Sequence, residues 1–68
     1  MKLFIIKLVS GEYLTECHLT SNYLEYECTM HREAASRLND FDSTLALRRL
    51  KMLGKKEAVR EDIEDNSI

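Results

Sequence analysis

The stretch REAASRLNDFDSTLALRRLKMLG, Arg32 to Gly54, decides the fold. Its second half reads as one helix from about Ser43 to Leu53. Asp42 or Ser43 is placed to cap the first turn, because a short side-chain oxygen there accepts from backbone N–H groups that lack an intrahelical partner. Gly54 stands where a left-handed C-terminal cap belongs. Arg48, Arg49 and Lys51 fall in the second half, where cations complement the helix dipole. Ala46, Leu50 and Leu53 recur at helical spacing and form an inner stripe. Leu47 flanks that stripe on one side, and Leu45 and Met52 flank it on the other. This is a wide apolar surface for a short helix, so part is expected to pack on a core and part to be left for a partner.

Upstream, KLFIIKLVSGEYLTECHL (Lys2–Leu19) reads as a β-hairpin, two apolar and β-branched runs around a Ser10-Gly11 turn. Pairing across a two-residue turn sets Leu8 opposite Tyr13, Ile6 opposite Thr15 and Phe4 opposite Cys17. Because side chains alternate, Leu3, Ile5, Lys7, Val9, Leu14, Glu16 and His18 then share the other face. Thr20 to Asn22 reads as the next turn. In YLEYECTM (Tyr23–Met30), Leu24, Tyr26, Cys28 and Met30 face one way and Glu25, Glu27 and Thr29 the other, the pattern of a half-buried strand.

Beyond Gly54 the signal divides. Across residues 56–64, Val59, Glu61 and Ile63 fit an edge strand, while Ala58, Val59, Asp62 and Ile63 fit a helix. The strand is preferred, because a sheet covered by a lone helix gains when the chain returns to pair with it. The expected architecture is α+β: a small antiparallel sheet of three to five strands, covered on one face by a single main helix. Residues 1–64 form one domain and 65–68 a frayed tail.

Sixty-eight residues allow one domain and no large enclosed site. A chain this short buries only roughly 60% of its unfolded surface. Hydrophobic residues at 44% and charged ones at 32% fit a globular chain rather than a disordered one. The net charge of −2 counts against a nucleic-acid binder, which usually carries a basic excess. The distribution is less even than the total. From Ser43 to Lys56 the charges are Arg48, Arg49, Lys51, Lys55 and Lys56, whereas Glu61, Asp62, Glu64 and Asp65 follow. Lys7 interrupts the apolar opening MKLFIIKLV, with no small-residue cleavage site after it, and no run approaches the roughly 20 apolar residues of a membrane span. These features point to a cytoplasmic location, where Cys17 and Cys28 are reduced thiols.

Chemistry is sparse. Cys17, His18, Cys28 and His31 make the one metal-like set, but neighbours on a strand point to opposite faces, so Cys17 and His18 do not converge on a tetrahedral ion. Two core thiols and two surface imidazoles is the preferred reading. Ser10 and Ser43 have structural roles as turn and cap. Glu25 and Glu27 share a solvated strand face. No nucleophile has a recognisable base and no glycine-rich phosphate loop is present, so the expectation is a protein without catalysis, cofactor or metal.

Two resemblances bear on function. AASRLNDFDSTLALRRL resembles a helix-turn-helix over residues 34–53, with paired alanines, a turn and a basic second helix. It departs from that motif at Asn39-Asp40, where Phe41 comes one place late, and Asp40 and Asp42 would face phosphates. LVSGEYL, AASRL, FDSTLALRRLKMLG and AVREDI together resemble the small α+β proteins encoded by phages and prophages, in which Ala35 and Leu38 lead through a short strand into the helix. In that likeness Ala35 and Leu38 lead into Phe41, and FDS, Phe41 to Ser43, begins the helix; it spans most of the chain and implies a fold. The expected function is a module that binds and modulates or inhibits a host protein through Leu45, Met52, Arg48 and Arg49 on the helix and Leu3, Ile5 and Leu14 on the outer sheet face. The alternatives are a DNA-binding regulator using Arg48, Arg49, Lys51 and Lys55, and a self-associating protein that forms a homodimer. None of these readings involves a membrane.

Overall fold

A computed structural model describes residues 2–20, 23–55 and 57–63. Strands β1 (Leu3–Lys7), β2 (Tyr13–Leu19), β3 (Leu24–Thr29) and β4 (Val59–Ile63) form one antiparallel sheet in the order β3-β2-β1-β4. Among the described residues a single α-helix, α1 (Asp40–Met52), packs on one face of it. This is the expected α+β architecture, and the segment after Gly54 is the expected strand. Ser21 and Asn22 of the predicted second turn, and the predicted tail 65–68, lie outside the described residues. Thr20 and Tyr23 close the β2–β3 ladder through Thr20 N–H donating to the Tyr23 carbonyl at 2.9 Å.

The first hairpin differs from the sequence reading by one residue. Lys7, not Leu8, pairs with Tyr13. Gly11 N–H donates to the Leu8 carbonyl at 2.9 Å, and Leu8 N–H donates to the Glu12 carbonyl at 2.8 Å. The loop is therefore three residues long, Val9 to Gly11, with Gly11 at φ 94°. That left-handed position is the one a glycine fills at least cost. A slip of one residue exchanges the faces of β2. Leu14 moves to the side of Ile6 and Leu8, under the helix, and is 0% exposed.

β1 and β2 separate beyond this pair. The segment Ser36–Leu38 enters between them. Ser36 N–H donates to the Leu14 carbonyl at 2.9 Å, while Phe4 and Leu38 exchange N–H···O bonds of 2.7 and 2.8 Å. β2 bends as it leaves. Thr15 faces Glu27, but His18 faces Glu25, so Glu16 and Cys17 together oppose one residue of β3. This bulge holds Glu16 at φ 51°, a left-handed conformation that non-glycine residues seldom take. The sheet is thus two ribbons, β1–β4 and β2–β3, joined at Lys7–Tyr13 and bridged by the wedge. The 3₁₀ turn Arg32–Ala34 precedes the wedge. It is tied to both ribbons, by Arg32 to Glu61 at 3.5 Å and by the Thr15 hydroxyl donating to the Ala34 carbonyl at 2.8 Å. Glu61 is the paired neighbour of Ile5, which places this turn over Ile5 on the face away from the helix.

Residues 35–39 therefore run between the ribbons rather than as a helix, so the helix-turn-helix reading fails structurally: its first helix does not exist. α1 begins at Asp40, earlier than the expected Ser43. Asn39 is extended and its Oδ1 accepts from Asp42 N–H at 2.7 Å, so the cap is Asn39, not Asp42 or Ser43. At the other end Gly54, at φ 86°, donates to the Lys51 carbonyl and Lys55 N–H to the Leu50 carbonyl at 3.1 and 2.9 Å. This paired pattern is the expected left-handed stop. With these bounds the inward face is Ser43, Ala46 and Leu50, with Leu47 half-buried beside them. Leu53, predicted to be inward, lies past the last turn and is 59% exposed.

One core cluster joins Ile6, Leu8, Leu14, Leu24, Ala46, Leu50 and Ala58. Arg60 of β4 clasps the start of the helix. Its Nη1 approaches the Asp40 carboxylate, and lies 3.1 Å from both Ser43 Oγ and Thr44 Oγ1. Its guanidinium carbon sits 4.2 Å from the centre of the Phe4 ring. Ser43, fully buried, thus has partners on both sides, since its hydroxyl also donates to the Asp40 carbonyl at 3.0 Å.

Candidate functional site

Once α1 starts at Asp40, its outward face can be read from the helical repeat. At 3.6 residues per turn, Phe41, Leu45, Arg48 and Met52 fall within an arc of about 60°, opposite Ser43 and Leu50. The exposure of three of the four agrees with that placement, and Leu45 is the partly covered one. Phe41 is 73% and Met52 78% exposed, Arg48 is exposed and Leu45 is half-buried. An aromatic ring, a leucine and a thioether therefore line the solvent side of a helix whose other side is fully used by the core. Arg48 lies within the stripe, and its aliphatic stem extends the apolar surface while its head stays hydrated.

Helix charges flank this stripe in an ordered way. Asp40 and Asp42 lie in the first turn and Arg49 and Lys51 in the last. Lys51 and Lys55 are exposed, and Arg49 is half-buried. Of the residues predicted to bind a partner, Leu45, Met52, Arg48 and Arg49 are brought together on α1. Leu3, Ile5 and Leu14 do not join them, and they do not form a separate outer patch. Leu14 is core for the register reason given above, Ile5 is 2% exposed beneath the 3₁₀ turn, and Leu3 is half-buried. Phe41 was missing from the predicted set. Its spacing of four and eleven residues from Leu45 and Met52 was present in the sequence, but a helix begun at Ser43 leaves it outside.

A concavity of about 570 Å³ lies between the β1–β2 loop and the end of the helix, lined in part by Glu12, Tyr26, Cys28 and Lys55. The Cys28 thiol is exposed, contrary to the expected core placement, because burial of the inner face fades along β3 from Leu24 to Cys28 and on to the exposed Met30 beyond it. Its pKa is raised by partial desolvation and then by the Glu12 carboxylate, against an opposing effect of Lys55. Cys17 is half-buried; desolvation pushes its thiol up, and a hydrogen bond from the Ser36 side chain partly offsets this. Both changes disfavour the thiolate, the nucleophilic form. His18 and His31 are exposed, as expected. Among the described residues no three His, Cys, Asp or Glu side chains are grouped to hold a metal ion. Ser10 closes its turn by accepting from Glu12 N–H at 3.4 Å.

Among the described residues no helix is long and apolar enough to cross a membrane. No protein-family model matches the chain, and no curated protein or solved structure matches it.

Proposed function

We propose that this chain is a small non-catalytic protein-binding module, of the accessory kind that phages and prophages encode, which engages a host protein in the cytoplasm and modulates or inhibits it. The observation that carries the reading is the outward stripe of Phe41, Leu45 and Met52 on α1. Large apolar side chains aligned on one exposed face are typical of interaction surfaces, and an amphipathic helix laid into an apolar groove is a common mode of recognition. The phage assignment rests on the sequence resemblance alone.

The test is affinity capture from a bacterial lysate, washed at low and then high salt, with the wild type beside a Leu45→Glu/Met52→Glu variant. One protein retained by the wild type through high salt, and lost by a variant that keeps its helical circular dichroism, is the expected result. Retention of the same protein by the folded variant would refute the assignment of the surface. Nucleic acid released at high salt, with no protein retained, would instead favour phosphate binding by Arg48, Lys51 and Lys55, because affinity built on phosphate contacts falls steeply with salt.

A further inference from the structure

The outward stripe of α1 is self-complementary, and we infer that a second copy of this chain is its resting occupant, docked helix against helix and antiparallel. This inference rests on the stripe being an interaction surface, as proposed above, and adds what covers it when no other partner is bound.

The order of residues along the stripe sets the pairing. A two-fold axis between positions 46 and 47 of α1 sets Phe41 of one copy beside Met52 of the other, and does so twice. A thioether against an aromatic ring is a favourable contact, and methionine adapts its shape to the ring it meets. The same axis sets Leu45 against the aliphatic stem of Arg48 in the second copy. The flanking charges select the direction. Antiparallel docking places Asp42 of the first turn alongside the basic last turn, Arg49 and Lys51, of the other copy at both ends, Asp40 being held by Arg60 of its own chain. Parallel docking would align acid with acid and base with base. A closed two-fold pair uses one patch twice and leaves no further face to propagate. The contact is confined to one helix face, so the dimer is a weak one that a tighter partner displaces, as suits a cover for a binding site.

The measurement is sedimentation equilibrium of the whole chain from micromolar to millimolar concentration. A reversible monomer–dimer equilibrium is expected, with the dimer weakened at least about tenfold by Met52→Glu and weakened by added salt. Circular dichroism distinguishes this loss from unfolding. Orientation is read by disulfide trapping in a Cys17→Ser/Cys28→Ser background. Phe41→Cys chains mixed with Met52→Cys chains should cross-link, whereas Met52→Cys chains alone should not. A strictly monomeric protein at millimolar concentration, a dimer indifferent to Met52→Glu, or self-cross-linking of Met52→Cys would each overturn the inference. A monomer whose lysate partner is still lost with Leu45→Glu/Met52→Glu would overturn self-docking and leave the binding-module reading standing.

Discussion

The β1–β4 ribbon and the β2–β3 ribbon are built from similar strands and differ in how they are held. β1 pairs with β4 in unbroken register from Leu3–Ile63 to Lys7–Val59. It carries Ile5 buried on one face and Ile6 on the other, with the Arg60 clasp binding β4 to the helix. β2 pairs with β3 through a bulge, and burial on its inner face fades from Leu24 to the exposed Cys28. The comparison teaches that strand pairing alone does not determine how firmly a ribbon is fixed. β1–β4 is held by the helix above, the 3₁₀ turn below and the wedge at its side, whereas the Cys28 end of β3 relies mainly on its own ladder.

Core truncation gives the largest contrast. Ile6→Ala should cost in the upper part of about 2–5 kcal/mol, because the site is enclosed and collapses poorly; Leu24→Ala, at the slightly exposed rim of the same core cluster, should fall near the lower limit. Urea denaturation midpoints measure both, and equal losses would break the distinction. Arg60→Ala should cost about 1–2 kcal/mol: several charge-assisted hydrogen bonds are lost, but the guanidinium is part-exposed and its ion pair is screened. Its specific signature is faster amide exchange at the first turn of α1 and along β4, with β2–β3 unchanged. Uniform acceleration throughout would mean the clasp is not local. The smallest effect is a gain. Glu16→Gly relieves about 1 kcal/mol of left-handed strain and loses about 0.5–1 kcal/mol through the greater freedom of the unfolded glycine, so the variant should be slightly more stable by thermal melting. A clear loss would show that the Glu16 side chain itself supports the bulge.

These distinctions were unevenly legible in the sequence. The helix and its Gly54 stop follow from local spacing and local caps, and they stand; the final strand also stands, but its local spacing suits a helix equally, and it follows from the sheet's need for a returning partner. The helix start was misplaced because Asp42 and Ser43 both have capping side chains, while Asn39, which has one too, lay in a stretch that also suited a turn; Phe41 was lost from the candidate surface with it. The hairpin register failed on one residue, since Ser10-Gly11 suits a two-residue turn as well as the end of a three-residue loop. That single step misassigned Leu14. The bulge at Glu16 carries no glycine to announce it, and the wedge at Ser36–Leu38 depends on contacts with Phe4 and Leu14 that are distant in sequence. The burial of Ile5 follows from these remote contacts, so no local pattern could reveal it.

The pairing of β1 with β4 also sets an order of events during folding. Leu3 and Ile63 are neighbours in space and sixty residues apart in the chain (63 − 3). β2–β3 and α1 are local structures that form from short loops, but β1 gains its full complement of partners only when both the wedge and β4 have arrived. Closing so long a loop delays the step beyond what the small size of the domain suggests. Until β4 docks, Ile5 and Ile6 sit on a strand with an open edge, and the last strand to join is therefore the one that protects the first from pairing with a neighbour during folding.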